Sequence, residues 1–297
     1  MNERDALRRL AADLSPAGDD AAVVDDTVIT TDMLHERTDF PPGTTRYTAG
    51  WRAVGASLSD VAAMGARATA AVAVYADERF DPDALDAFVA GATDVCAAVD
   101  ASYVGGDLDT HAEFTTATTA IGTTPADGVV RRSGAAPGDA LCVTGRWGRS
   151  AAALRLFDRE TAEATDRANE LFRFTPRVAA GRTLAETATA MMDSSDGLAR
   201  SLHQIAEASD VGVTLDGSAV PVHPAVEAVT DDATEQFQMA AHFGEDFELV
   251  CTLPPAAVDR ARRDCPVELT RVGTVRAADA GVTVDGDPLA DRGYTHG

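Results

Sequence analysis

The chain has 297 residues, 45% of them hydrophobic, enough for one large or two ordinary domains with a sizeable core; a disordered chain is excluded. The formal charge is −23 and all 25 basic residues are arginine, which excludes binding to nucleic acid through basic patches and every mechanism that needs a lysine, such as a P-loop or a Schiff base. No apolar run approaches the roughly 18 residues of a membrane span, and the charged Met-Asn-Glu-Arg-Asp start is unlike a signal peptide, so a soluble cytoplasmic protein without a membrane partner is expected.

Along the chain, a short helix is expected over residues 2–13 and a β-branched strand over 27–32, ending in Asp32. Residues 49–64 have helical spacing, with Trp51, Val54, Leu58, Val61 and Ala62 on one face and Asp60 almost opposite. A buried strand follows at 68–76, then a helix at 82–98 and a short strand at 102–104 that runs into Gly105-Gly106-Asp107. Another strand is expected at 113–123. The Gly/Pro-rich stretch 133–139 is the best domain boundary, dividing a domain of residues 1–137 from one of residues 138–297. Beyond it the pattern gives a strand at 140–144, helices to about 187 and a strand ending near Asp193. Then come a helix at 196–208, a strand at 211–215, a helix at 234–242, a strand at 247–252, a helix at 255–263 and a strand at 267–275. Strands and helices alternate in both halves, so two α/β (α+β) domains are expected.

The dense carboxylates fit a surface adapted to high salt, where screening relieves self-repulsion. Cys96, Cys142, Cys251 and Cys265 form no CxxC pair and read as buried thiols. The six histidines show no metal-site spacing.

Five acidic features sit beside glycine, at strand ends or on a helix: Gly18-Asp19-Asp20, Thr30-Thr31-Asp32, Asp60, Gly105-Gly106-Asp107 and Asp193-Ser194-Ser195-Asp196-Gly197. Singly, each has an ordinary explanation: a turn, a helix N-cap or a solvated helix face. Gathered in one cleft, such aspartates repel one another by on the order of 4 kcal/mol per close pair, which a divalent cation relieves. Hard oxygen donors without histidine or cysteine suit Mg²⁺. Together they suggest a metal-bridged nucleotide site, which Arg132 and the glycines complete.

At this point the motifs resemble a known family. Gly-Asp-Asp-Ala-Ala-Val (18–23), Thr-Thr-Asp-Met-Leu (30–34), Leu-Ser-Asp-Val-Ala-Ala-Met-Gly-Ala (58–66) and Gly-Gly-Asp-Leu (105–108) occur in order. Arg-Ser-Gly-Ala-Ala-Pro-Gly-Asp (132–139), Met-Asp-Ser-Ser-Asp-Gly-Leu (192–198) and Gly-Glu-Asp-Phe-Glu-Leu (244–249) follow. The set is similar to the thiamine-monophosphate kinase family, of the aminoimidazole-ribonucleotide-synthetase-like superfamily. The resemblance implies a homodimer built through the N-terminal domains, ATP as phosphoryl donor, several Mg²⁺ ions and thiamine monophosphate as acceptor. Matching positions imply metal ligation by Asp20, Thr30, Thr31, Asp32, Asp60, Asp107, Asp193 and Asp196. They also imply ATP contacts from Gly106, Arg132 and Ser195, and substrate contacts from Asp39, Glu245 and Tyr294. Asp39 stands where the family commonly has histidine. No general base is expected. The alternatives are aminoimidazole-ribonucleotide or selenophosphate synthesis on the same fold, or a non-catalytic maturation scaffold.

Overall fold

The computed structural model describes residues 18–293 together with Arg9. The expected helix over 2–13, Arg9 apart, and Tyr294 lie outside the described residues.

The first half forms a five-stranded sheet from β1 (Ala22–Val24), β2 (Thr27–His35), β3 (Arg67–Asp77), β4 (Ser102–Thr110) and β5 (Thr115–Thr123). Its order is β1-β2-β5-β3-β4, and only the β3/β4 pair is parallel. Helix α1 (Glu36–Asp39) turns the chain toward α2 (Arg46–Ala63), and α3 (Pro82–Ala97) leads into β4. The side chain of Thr45 accepts the Thr48 N–H to open α2, and Gly65 at φ +68° follows its end.

Helix α2 is the spine of the molecule, and nearly all of it is buried. Its Ala, Gly and Ser residues permit packing on several sides at once. A Cβ on Gly50 would lie 2.1 Å from the Phe88 carbonyl oxygen, and one on Gly91 2.0 Å from that of Tyr47, so α2 and α3 cross backbone to backbone. On the other side Gly181 stands equally close to the carbonyl oxygen of Ala62.

The second half forms a seven-stranded sheet, β12-β11-β8-β10-β6-β9-β7. Its members are β6 (Ala140–Thr144), β7 (Ala190–Asp193), β8 (Val211–Leu215), β9 (Leu249–Leu253), β10 (Leu269–Ala277), β11 (Val282–Val284) and β12 (Asp287–Pro288), with only β11/β8 parallel. Between them lie α4 (Arg149–Phe157), α5 (Ala162–Phe172), α6 (Val178–Leu184), α7 (Leu198–Ser209), α8 (Pro224–Glu227), α9 (Ala233–His242) and α10 (Val258–Asp264). Strand β9 alternates as period two requires: Val250 joins Leu198, Leu202 and Ile205 in the outer core, whereas Leu249, Cys251 and Leu253 join the core shared with α2. All four cysteines are buried and free.

Within the described residues the expected elements recur with shifts of a few residues, with one substantive difference. Gly105-Gly106-Asp107 does not follow a short strand; β4 runs through it to Thr110, with a register shift opposite Ala71 and Ala73. Gly106 makes this possible, because a Cβ there would lie 1.6 Å from the Ala73 carbonyl oxygen. Strands β1, β11 and β12 and helix α8 are too short to leave a periodic signal.

Helices α2 and α3 cover one face of the first sheet. Among the described residues no helix covers the other face, which exposes Ile29, Met33, Val72, Val74, Val104 and Ile121. No helix among the described residues is long and apolar enough to cross a membrane.

Candidate metal and phosphate site

Three carboxylates from distant segments converge where the two sheets meet across α2. Oxygens of Asp20, before β1, Asp60, in the last turn of α2, and Asp193, at the end of β7, all lie within 4.8 Å of one another. Each is held from behind. Thr30 Oγ1 donates to Asp60 Oδ2 at 2.6 Å, and Ser59 Oγ donates to Asp193 Oδ2 at 2.8 Å. Arg132 grips Asp20 with Nη2 at 2.7 Å and Nε at 3.2 Å. Asp32 stands on the same face of β2 as Thr30 and accepts from Ser57 Oγ at 2.6 Å.

The ordinary explanation of Asp60 as part of a solvated helix face fails because the side of α2 opposite its apolar stripe meets β2 and β7. Burial, then the Asp32, Asp193 and Asp20 charges, push the Asp60 carboxyl well above the usual range. Burial and Asp20 push Asp193 up to about 7, against the Ser59 hydrogen bond. Burial raises Asp32 as well, opposed by Ser57. Burial pulls down the Arg132 guanidinium, but its Asp20 and Asp193 neighbours carry it upward overall. At an effective dielectric near 20, each close carboxylate pair costs about 3 kcal/mol when both are ionised. A compact set of hard oxygens with hydroxyls behind them fits Mg²⁺, and the cluster contains none of the softer ligands that favour zinc.

Thr31 and Asp107 are not brought into this cluster. Thr31 points to the bare face of the sheet, where its Oγ1 donates to the Thr118 carbonyl. Asp107 shares a cross-strand row with Val74, Ala117 and Met33, so it too lies on the bare face, three strand spacings, about 14 Å, from β2. Gly106 is registered with Ala73 beside it.

The Asp193-Ser194-Ser195-Asp196-Gly197 loop is not an N-cap box: Gly197 precedes α7 without a side-chain cap. The loop packs against 243–248 instead. Ser195 offers its carbonyl to the Glu245 N–H at 2.7 Å, and Ser194 Oγ accepts the Glu248 N–H at 3.1 Å. A Cβ on Gly293 would lie 2.4 Å from the Asp196 carbonyl oxygen, so Gly293 packs against this loop.

Glu245 pairs with Arg52 at 2.8 Å. Asp39 is buried, and its Oδ2 accepts from the His35 N–H at 2.7 Å and from Thr38 Oγ1 at 2.8 Å, closing the turn of α1. Sequence reasoning passed over Arg52, Ser57 and Ser59, and gave no role to Asp19, which accepts the Arg132 N–H at 3.0 Å. The available signal was polarity within α2, where Arg52, Ser57 and Ser59 interrupt a run of small and apolar residues.

Comparison with known proteins follows the same outline. The family model for AIR synthase related protein, N-terminal domain, matches residues 18–124, and that for the C-terminal domain matches residues 136–286. Thiamine-monophosphate kinase of Halobacterium salinarum is 62% identical over 296 residues, covering 100% of each chain. The protein of the same name from Methanospirillum hungatei is 36% identical, over 100% of this chain and 99% of its own. A solved structure of AaThiL complexed with AMPPCP and TMP is 25% identical, covers 100% of this chain and 97% of its own, and superposes with a TM-score of 0.89.

Proposed function

The chain belongs to the thiamine-monophosphate kinase family of AIR synthase related proteins, and on that premise we propose that it transfers the γ-phosphate of ATP onto thiamine monophosphate in line, yielding thiamine diphosphate. The convergence of Asp20, Asp60 and Asp193 carries this reading.

We assign Asp20, Thr30, Asp32, Asp60 and Asp193 to holding Mg²⁺, with Asp196 beside them. Bound magnesium would supply the charge neutralisation that two approaching polyphosphates need. Arg132 is anchored by Asp20 yet keeps part of its side chain exposed, which suits a fork onto phosphate oxygens. Ser195 and Gly106 complete the nucleotide contacts, and Glu245, Asp39 and Tyr294 the acceptor contacts. The acceptor phosphate is ionised at neutral pH, its second pKa being near 6, so no side chain has to remove a proton. The residues hold, orient and screen.

A homodimer completes the site in this reading. Thr31 and Asp107 are stranded on the apolar bare face, and pairing two copies through that face would bury its exposed Val, Ile and Met side chains. It would also bring those oxygens to a cleft shared by the two copies. The lysine-free, acidic composition supports work at high salt in the cytoplasm, without nucleic acid or membrane.

The test is ADP release with ATP and Mg²⁺ at molar salt, with and without thiamine monophosphate. Acceptor-dependent release is expected. Release without acceptor, or none, would assign the chain to another ATP-dependent chemistry of the fold or to a scaffold.

A further inference from the structure

Arg52 is a buried cation with an unusual set of partners. It lies on α2, eight residues and so about 12 Å before Asp60, and is 2% exposed. Its guanidinium carbon stands 3.6 Å from the Phe172 ring centre, with the Phe174 and Phe247 rings at 5.7 and 5.4 Å. Nη1 donates to the Phe172 carbonyl at 2.8 Å. Nη2 donates to Glu245 twice, to the carbonyl at 3.3 Å and to Oε2 at 2.8 Å.

Glu245 cannot relax away from this grip. It holds φ +66°, and Phe247 two residues on holds φ +52°, both left-handed and unfavourable for such side chains. Ser150 Oγ donates to the Glu245 carbonyl at 2.6 Å. The Asp246 carboxylate accepts the Gly148 and Ser150 N–H groups at the start of α4. The stacked rings of Phe174 and Phe247, 4.2 Å apart, close the other side. Among the described residues, Glu245 Oε1 is left without a hydrogen-bond partner.

We propose that Arg52 is a positioning residue for acceptor recognition: it compensates and orients Glu245, so that Oε1 serves as a directional hydrogen-bond acceptor for the amino group on the acceptor's pyrimidine ring. The role rests on the kinase reading above and deepens it. A carboxylate already paired with a buried guanidinium is a poor counter-ion for a second cation, so Glu245 reads the ring amine rather than the thiazolium charge. The planar fork is essential because three acceptors must be met in one plane. Lysine keeps the charge and loses that geometry.

The experiment measures kcat/KM for thiamine monophosphate and for its oxo analogue, in which a carbonyl replaces the ring amine. Both are run on one preparation each of wild type, Glu245→Gln, Arg52→Lys and Arg52→Gln. Taking the ratio within a preparation cancels any loss of folded enzyme. Wild type is expected to prefer the amine on the order of 10- to 100-fold, as befits one hydrogen bond to a charged group. The preference should fall by about tenfold in Glu245→Gln and in whichever Arg52 variants are active. A wild type inactive on both acceptors overturns the kinase reading and this inference with it. An active wild type without preference, or one whose preference survives in Glu245→Gln, overturns the recognition by Oε1. A preference lost in Glu245→Gln but kept in the Arg52 variants overturns the part assigned to Arg52.

Discussion

Ser59 and Asp193 join the two halves of the molecule by a 2.8 Å hydrogen bond in which both partners are buried. The donor is on α2 and the acceptor ends β7, so the bond fixes one carboxylate of the acidic cluster relative to the next, Asp60. Ser59→Ala leaves a buried carboxylate short of a donor and is expected to cost about 1–3 kcal/mol. Urea unfolding at high salt without magnesium measures it, and an unchanged midpoint would show that the bond contributes nothing.

Asp60→Asn separates the cost of the cluster from its use. It removes the carboxylate on which Asp32, Asp193 and Asp20 all press, while keeping an oxygen for Thr30. The metal-free variant should be as stable as wild type or up to about 2 kcal/mol more stable. Its kcat/KM should drop at least about 100-fold. Melting curves with chelator and steady-state rates at saturating Mg²⁺ give the two numbers. Wild-type turnover would remove Asp60 from the metal set.

Gly50→Ala sets helix propensity against packing. Alanine gains about 1 kcal/mol in a helix interior, but its methyl would meet the Phe88 carbonyl oxygen at 2.1 Å, where only backbone can yield. Overpacking wins, and a net loss of about 1–3 kcal/mol is expected. A variant with a raised melting temperature would mean that α2 and α3 do not cross at this glycine.

Asp246 makes stability depend on pH. Burial pushes its carboxyl up to about 6, against the N–H groups of Ser150 and Gly148 and the Arg149 charge. Between the ordinary value near 4 and that value the folded state binds the extra proton, so its share of stability is lost as pH rises through the window. The amount is on the order of 3 kcal/mol. Asp246→Asn should lack this slope, so its stability relative to wild type should improve from pH 4 to 6 and level off above. Denaturant midpoints at pH 4.5, 5.5 and 6.5 test the sign.

Val74→Asp addresses the bare sheet face. Val74 is 38% exposed, so the charge costs an isolated chain little. Sedimentation at high salt is expected to show dimers for wild type and monomers for the variant, with activity lost alongside. A dimeric, fully active variant would move the interface elsewhere.

Much of this architecture was legible in the residues. Strands β6 and β8 and the stripe of Leu198, Leu202, Ile205 and Ala206 on α7 follow from period and turn chemistry, which act locally. The four acidic motifs beside Asp60 were visible for the same reason: glycine and strand ends are local marks. Sequence does not encode which face of a strand a cluster uses until register is set. Thr30 and Thr31 are neighbours in the chain, yet one serves Asp60 and the other faces away. Arg52 escaped notice because its meaning depends on residues more than a hundred positions later.

A helix covered in part by much later segments of the chain has a consequence for synthesis. When only the first 130 or so residues have left the ribosome, the surfaces of α2 destined for Phe174 and Gly181 are still bare. The nascent first half therefore exposes a sticky flank that nothing yet made can cover, and a cell that overproduces a truncated gene should recover aggregate or chaperone-bound fragment. Burying α2 waits for the second half to emerge, and so does assembling the carboxylates that face β7.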